Sequence, residues 1–132
     1  MTDSFEISAI FPAVTSEQIY KAWLDSAAHT AFTGSPARFD RKGAAEFTAW
    51  DGYISGKTLE AEPFHRILQS WRTTEFPAGS PDSQLEILIE DLDNGAQVTL
   101  VHSGIPAGQG KDYLQGWKEY YFEPMKRYFS AD

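Results

Sequence analysis

No cysteine occurs in this chain. Disulfides, thiolate nucleophiles and Cys-based zinc sites are excluded together, and a reducing, cytoplasmic setting is the expected one. Basic residues are scarce: 11 Lys and Arg stand against 19 Asp and Glu, a formal net charge of -8. With no basic stripe or polybasic tail to neutralise phosphates, neither nucleic acid nor an anionic membrane surface is an expected partner. The acidity itself reads as a contribution to solubility. No run approaches the roughly 20 apolar residues of a membrane span. The opening Met1-Thr-Asp-Ser-Phe-Glu6 has neither the basic nor the apolar region of a signal peptide.

Motifs that would announce a chemistry are also missing. There is no Gly-X-Ser-X-Gly, no Gly-X-Gly-X-X-Gly and no Walker sequence. The histidines, His29, His65 and His102, fall on a helix, at a strand start and near a strand end. They lack His-X-X-X-His or His-Glu-X-X-His spacing, so no metal site is expected. The carboxylate pairs Asp91/Asp93 and Glu60/Glu62 sit beside turns and read as solvated edges.

Aromatic rings, in contrast, are abundant. The 132 residues hold four Trp, six Tyr and nine Phe. The length suits one domain over residues 1–132, since a domain of about 150 residues buries roughly 68–70% of its unfolded surface. The rings concentrate in Asp112 to Phe129, which reads as one long helix. At 100° per residue, Tyr113, Leu114, Trp117, Tyr121, Pro124, Met125 and Tyr128 share a broad face. Gln115, Glu119, Glu123, Lys126 and Arg127 share the opposite one. Pro124 forfeits a backbone hydrogen bond near Tyr120 and is expected to bend the helix.

Upstream, residues 4–10 alternate and read as a strand. Thr15-Ser-Glu-Gln18 has the spacing of a capping box, with Val14 and Ile19 at hydrophobic-staple positions, so a helix should run to about Leu24 with Ile19, Ala22 and Trp23 inward. Ser26 is the expected N-cap of a second short helix through Phe32, ended by Gly34 and Pro36. From residue 37 the period becomes two, with strands expected at 37–41, 44–50, 53–61, 65–74, 84–91 and 96–103. Lys42-Gly43, Asp51-Gly52, Glu62-Pro63, Pro77 to Pro81 and Asp93-Asn-Gly95 supply the turns. Short connections imply an antiparallel meander. The order is β-α-α-β6-α: an α+β fold in which a curved antiparallel sheet grips a long C-terminal helix.

Several stretches carry a family resemblance. Ala31-Phe-Thr-Gly34, Trp50-Asp-Gly-Tyr-Ile-Ser-Gly56, Pro63, Ile67-Leu-Gln-Ser-Trp71, His102-Ser-Gly-Ile-Pro106 and Gly116-Trp-Lys-Glu-Tyr-Tyr-Phe-Glu123 occur in this order. From about Phe5 to Phe129 the chain resembles the Aha1 C-terminal-domain family, relatives of the activator of Hsp90 ATPase within the START-like (SRPBCC) helix-grip superfamily. The resemblance implies the helix-grip fold and, as one possible partner, an Hsp90-type chaperone. The eukaryotic co-chaperone also carries a separate N-terminal Hsp90-binding domain with no counterpart in this sequence, so ATPase activation is not expected even where chaperone contact is kept.

A helix-grip fold usually leaves a cavity between helix and sheet, and apolar pockets are the default ligand sites. Alternation and the helical wheel nominate Phe47, Trp71, Leu85, Ile87, Leu100, His102, Trp117, Tyr121 and Tyr128 as its lining. Trp71 fits either face of its strand. The competing expectation is that these rings fill the space themselves. His102 follows Val98 and Leu100 on the inward register. It is either a hydrogen-bonded core group or, paired with a helix tyrosine, an acid-base catalyst. Gly104 to Gly110 reads as a flexible lead-in to the helix, a candidate lid. The expected function is non-enzymatic binding of a small apolar or aromatic molecule, with no cofactor; the alternative is a protein-interaction module for an Hsp90-type chaperone.

Overall fold

A computed structural model describes residues 2–40 and 46–130. Strand β1 spans Thr2–Pro12, followed by helices α1 (Ser16–Trp23) and α2 (Ser26–Thr33). Strands β2 (Arg38–Phe39), β3 (Glu46–Ala49), β4 (Ile54–Glu62), β5 (Arg66–Thr73), β6 (Ser83–Leu92) and β7 (Gly95–Pro106) follow. The C-terminal helix begins as α3 (Gly110–Gly116), widens into a π-helical segment over Trp117–Phe122, and continues as α4 (Glu123–Ser130). The strands form one antiparallel sheet in the order β1-β7-β6-β5-β4-β3-β2. The meander is therefore as read from the turns, with β1 returning to flank β7. The Lys42-Gly43 turn and the strand ends beside it lie outside the described residues.

Local chemistry explains the elements. The capping box of α1 is formed: Gln18 N–H donates to Thr15 Oγ1, while the Gln18 side chain accepts from Thr15 N–H at 2.9 Å. Ile19, Ala22 and Trp23 are buried. The cap of α2 corrects one expectation, because Asp25 rather than Ser26 accepts the Ala28 N–H, at 2.8 Å. A carboxylate suits a helix N-terminus, where the dipole favours negative charge. Ser26 Oγ instead accepts from Phe39 N–H at 2.8 Å and ties α2 to β2. Gly34 closes α2 at φ 79°, a backbone region open to glycine.

A β-bulge between Thr58 and Glu60 leaves Leu59 outside the β4–β5 register and exposed; such bulges bend strands and increase twist. Two and three strands away, Leu85 and Ile87 on β6 and Val98 and Leu100 on β7 point inward and are completely buried. Ile67, Gln69 and Trp71 share that concave face, which settles the side on which Trp71 lies.

The C-terminal helix departs from the simple wheel. Glu123 N–H donates to Lys118 O, five residues back, just before Pro124, which has no N–H to give. The wider turn sets the downstream face back by about one residue. Phe122 is consequently buried, and Phe129 packs on the core, at the places a regular helix assigns to Tyr121 and Tyr128. Tyr121 stays buried within the widened turn, while Tyr128 turns outward and is 39% exposed.

Candidate functional site

Tyr113, Trp117 and Tyr121 recur every fourth residue along the helix, and each ties its polar atom to a partner beneath. The Trp117 indole N–H donates to His102 Nδ1 at 3.1 Å. His102 Nε2 lies 2.9 Å from Ser83 Oγ, whose hydroxyl donates to Trp71 O at 2.6 Å. This pattern assigns the neutral tautomer with its proton on Nε2. His29 has the opposite one: Nδ1–H donates to Trp23 O at 2.9 Å, and Nε2 accepts from the Tyr121 hydroxyl at 2.8 Å. Burial pushes His102 down to about 3 and His29 down to about 4, the latter against the pull of its backbone carbonyl partner. Both imidazoles are neutral near pH 7 and both spend their two nitrogens on internal bonds. His102 has no free lone pair with which to act as a base, so its hydrogen-bonded core reading holds and its catalytic one has no geometric support.

Tyr113 closes a smaller circuit. Thr73 Oγ1 lies 2.7 Å from the Tyr113 hydroxyl, which donates to Gln109 Oε1 at 2.7 Å. Gln109 Nε2 donates to Glu75 O, and Glu75 N–H returns to Thr73 Oγ1, both at 3.1 Å. Beside it the Tyr53 hydroxyl donates to the Glu75 carboxylate. Burial, then the Glu75 bond, raises the Tyr53 phenol well above its ordinary range. Burial likewise raises Tyr121, with the Trp50 indole opposing it.

Above these anchors lies a pocket of about 310 Å³, partly open to solvent, lined by Trp50, Tyr53, Ile54, Trp71, Tyr113, Gly116, Trp117, Tyr120 and Tyr121. The β3–β4 hairpin supplies one wall. Trp50, Asp51 and Gly52 are all left-handed there, with φ of 53°, 57° and 88°. A tryptophan in this region is strained by on the order of 1–2 kcal/mol. In that conformation the Trp50 ring stands edge-on to Tyr120 and Tyr121. Tyr120, 55% exposed, forms the outer lip. Because the anchored polar tips point away into hydrogen bonds, the pocket presents almost only rings and aliphatic carbon.

Of the nine expected lining residues, Trp71, Trp117 and Tyr121 meet in this pocket. Leu85, Ile87, Leu100 and His102 are wholly buried beneath it or elsewhere in the core, where close packing leaves no space for a ligand. Phe47 lies in the same cross-strand row as Trp71, across Gly56, but stacks on Phe39 instead of bordering the pocket, and Tyr128 lies on the helix surface for the register reason above. The rings thus fill the centre and leave the pocket at one end. Wheel and alternation missed Trp50 and Tyr53, which belong to a turn with neither periodicity, and Tyr120, which the wheel does not place with Tyr121. Gly104 to Gly110 is no free lid: Asp3 Oδ2 accepts from both Gly108 N–H and Gly110 N–H at 2.9 Å. Among the described residues, no group of three or more His, Asp or Glu side chains is placed to hold a metal ion. No described helix is long and apolar enough to cross a membrane.

Comparisons with known proteins place this geometry. Human "Activator of 90 kDa heat shock protein ATPase homolog 1" is 28% identical over 113 residues, covering 86% of this chain but 33% of the relative. The Dictyostelium discoideum activator homolog is 30% identical over 101 residues, 76% of this chain and 26% of its own length. The chain therefore spans about a third or less of these relatives. Among solved structures, an Hsp90 activator from Plasmodium falciparum superposes with a TM-score of 0.87 at 22% identity, over 98% of this chain and 97% of that one. DynU16, a putative protein in the dynemicin biosynthetic locus, matches with a TM-score of 0.79 at 17% identity, over 99% of this chain and 48% of that one. At these identities the structures establish the shared fold, and the family profile matches residues 10–130. The chain belongs to the family described as Activator of Hsp90 ATPase homolog 1-like protein.

Proposed function

We propose that this chain binds a small apolar or aromatic molecule in the pocket between the β3–β4 hairpin, β5 and the C-terminal helix. The carrying observation is the 310 Å³ of ring-lined space that persists although the centre of the fold is filled. Its volume falls at the lower end of the range typical of ligand sites, roughly 300–1,000 Å³. The anchored rings support the reading further, because a pre-formed wall costs little ordering on binding.

Gly116 provides the test. A Cβ built there meets only the Tyr120 ring, at 3.9 Å, so Gly116→Leu should fill the pocket without displacing the backbone. Native mass spectrometry of the purified protein should reveal a non-covalent mass, lost on denaturation and absent from the variant. An identical adduct on Gly116→Leu would place the ligand elsewhere and refute the reading.

A second reading, contact with an Hsp90-type chaperone, is favoured by the curated relatives, which are named as activators of that ATPase. On that reading the acidic surface meets a basic patch. Binding would be salt-sensitive, weakened by reversing surface acids and indifferent to Gly116→Leu.

A further inference from the structure

We propose that the pocket accepts a methylated ammonium group carried by a small molecule; this rests on the pocket being a ligand site and names the chemistry that it selects. Seven of the nine lining residues are aromatic. Aromatic faces carry the negative end of the ring quadrupole and attract cations. Neighbouring walls are inclined rather than parallel: 78° between Trp71 and Tyr113, 70° between Trp50 and Tyr120, 66° between Trp50 and Tyr121, 54° between Trp117 and Tyr121 and 42° between Trp71 and Trp117. Parallel walls would suit a flat ring sliding between them. Inclined walls enclose a compact, rounded group, which is the shape of a nitrogen with a shell of methyls.

The hydrogen bonding separates methylated from unmethylated amines. Three of the lining side chains, Tyr113, Trp117 and Tyr121, commit their polar atoms to Gln109, His102 and His29. A primary ammonium brings three donors, and the ring-lined wall offers no acceptor to those turned away from the open side. A quaternary ammonium has no donor to lose. Charge points the same way. No Lys or Arg lines the space, the hydroxyl of the lining residue Tyr53 donates to the Glu75 carboxylate, and the chain carries a net charge of -8. The volume of 310 Å³ is many times the roughly 10–15 Å³ that admits a single water, so the head group enters with part of the molecule that bears it.

Choline and its neutral carbon isostere, 3,3-dimethylbutan-1-ol, separate charge from shape. Titration of the protein with each, followed by tryptophan fluorescence and calorimetry, should show choline binding more tightly by about 5- to 30-fold, the range expected of cation–π attraction on partial to full desolvation. Ethanolamine, the primary amine, should bind more weakly than choline. Tyr120→Leu keeps an apolar lip but removes a ring, and should reduce choline affinity more than that of the alcohol. If the alcohol binds as tightly as choline, the ammonium assignment is overturned and the apolar pocket stands. If neither binds, the ammonium assignment falls, and the adduct comparison with Gly116→Leu decides the ligand-site reading separately.

Discussion

Mild acid should destabilise this protein through two residues, His29 and His102. Burial holds them at about 4 and about 3, below the ordinary 6.5. A base whose pKa is depressed by folding binds fewer protons in the native state than in the unfolded chain. Its stabilising contribution is complete above about 6.5 and is lost as the pH falls toward the folded values. At pH 5 an unfolded histidine is about 1.5 pH units below its pKa, which is worth about 2 kcal/mol at 1.36 kcal/mol per unit. The pair therefore removes about 4 kcal/mol between pH 7 and pH 5, a large part of a typical 5–15 kcal/mol. Ordinary carboxylates titrate near 4 and contribute mostly below this window. Urea unfolding at pH 7, 6 and 5 measures the loss directly. In His102→Gln the amide can accept from Trp117 and donate to Ser83, preserving both bonds without a titrating group. The variant's loss over the same interval should fall to about 2 kcal/mol. A wild-type loss below about 1 kcal/mol, or parallel behaviour of variant and wild type, would refute the neutral, doubly bonded histidines.

Three further expectations follow from the helix, the sheet and the lead-in loop. Phe122→Ala should cost about 3–5 kcal/mol by chemical denaturation, as core aromatic truncations do, and Tyr128→Ala less than about 1; the reverse order would contradict the widened turn. Gly56→Ala should abolish stable folding, or shift the thermal midpoint down by at least about 10 °C for a loss of 3 kcal/mol or more, because the new Cβ would sit 1.9 Å from Ser70 O. A wild-type midpoint would show that β4 does not approach β5 so closely. Asp3→Ala frees the Gly108 and Gly110 amides and should cost about 1–3 kcal/mol; hydrogen exchange at those two amides should accelerate, and unchanged protection would mean that something else holds the loop.

Local rules carried much of the architecture. The capping box at Thr15 and the left-handed stop at Gly34 involve neighbours within a few residues, so they are readable one element at a time. Alternation placed Leu85, Ile87, Val98, Leu100 and His102 inside, and short turns implied the meander. The misplaced N-cap at Ser26 shows the limit of such signals, since Asp25 and Ser26 are both good caps and the Phe39 backbone claims the serine. What the nine expected lining residues have in common in the sequence is an inward direction. Most inward residues in a dense interior touch one another rather than empty space.

The sequence alone determined the fold class and most inward faces, because periodicity and turn chemistry act over a few residues, and it pointed to the family through a resemblance spread along the chain. Only the tertiary structure decided which inward residues border a pocket. That outcome depends on the widened turn before Pro124, which resets the phase of the helix. It depends also on the left-handed backbone at Trp50 and on hydrogen bonds joining Tyr121 to His29 and Trp117 to His102. The last two pairs are separated by 92 and 15 residues along the chain. Space left over after packing is a property of all the walls at once, so no single stretch of sequence contains it.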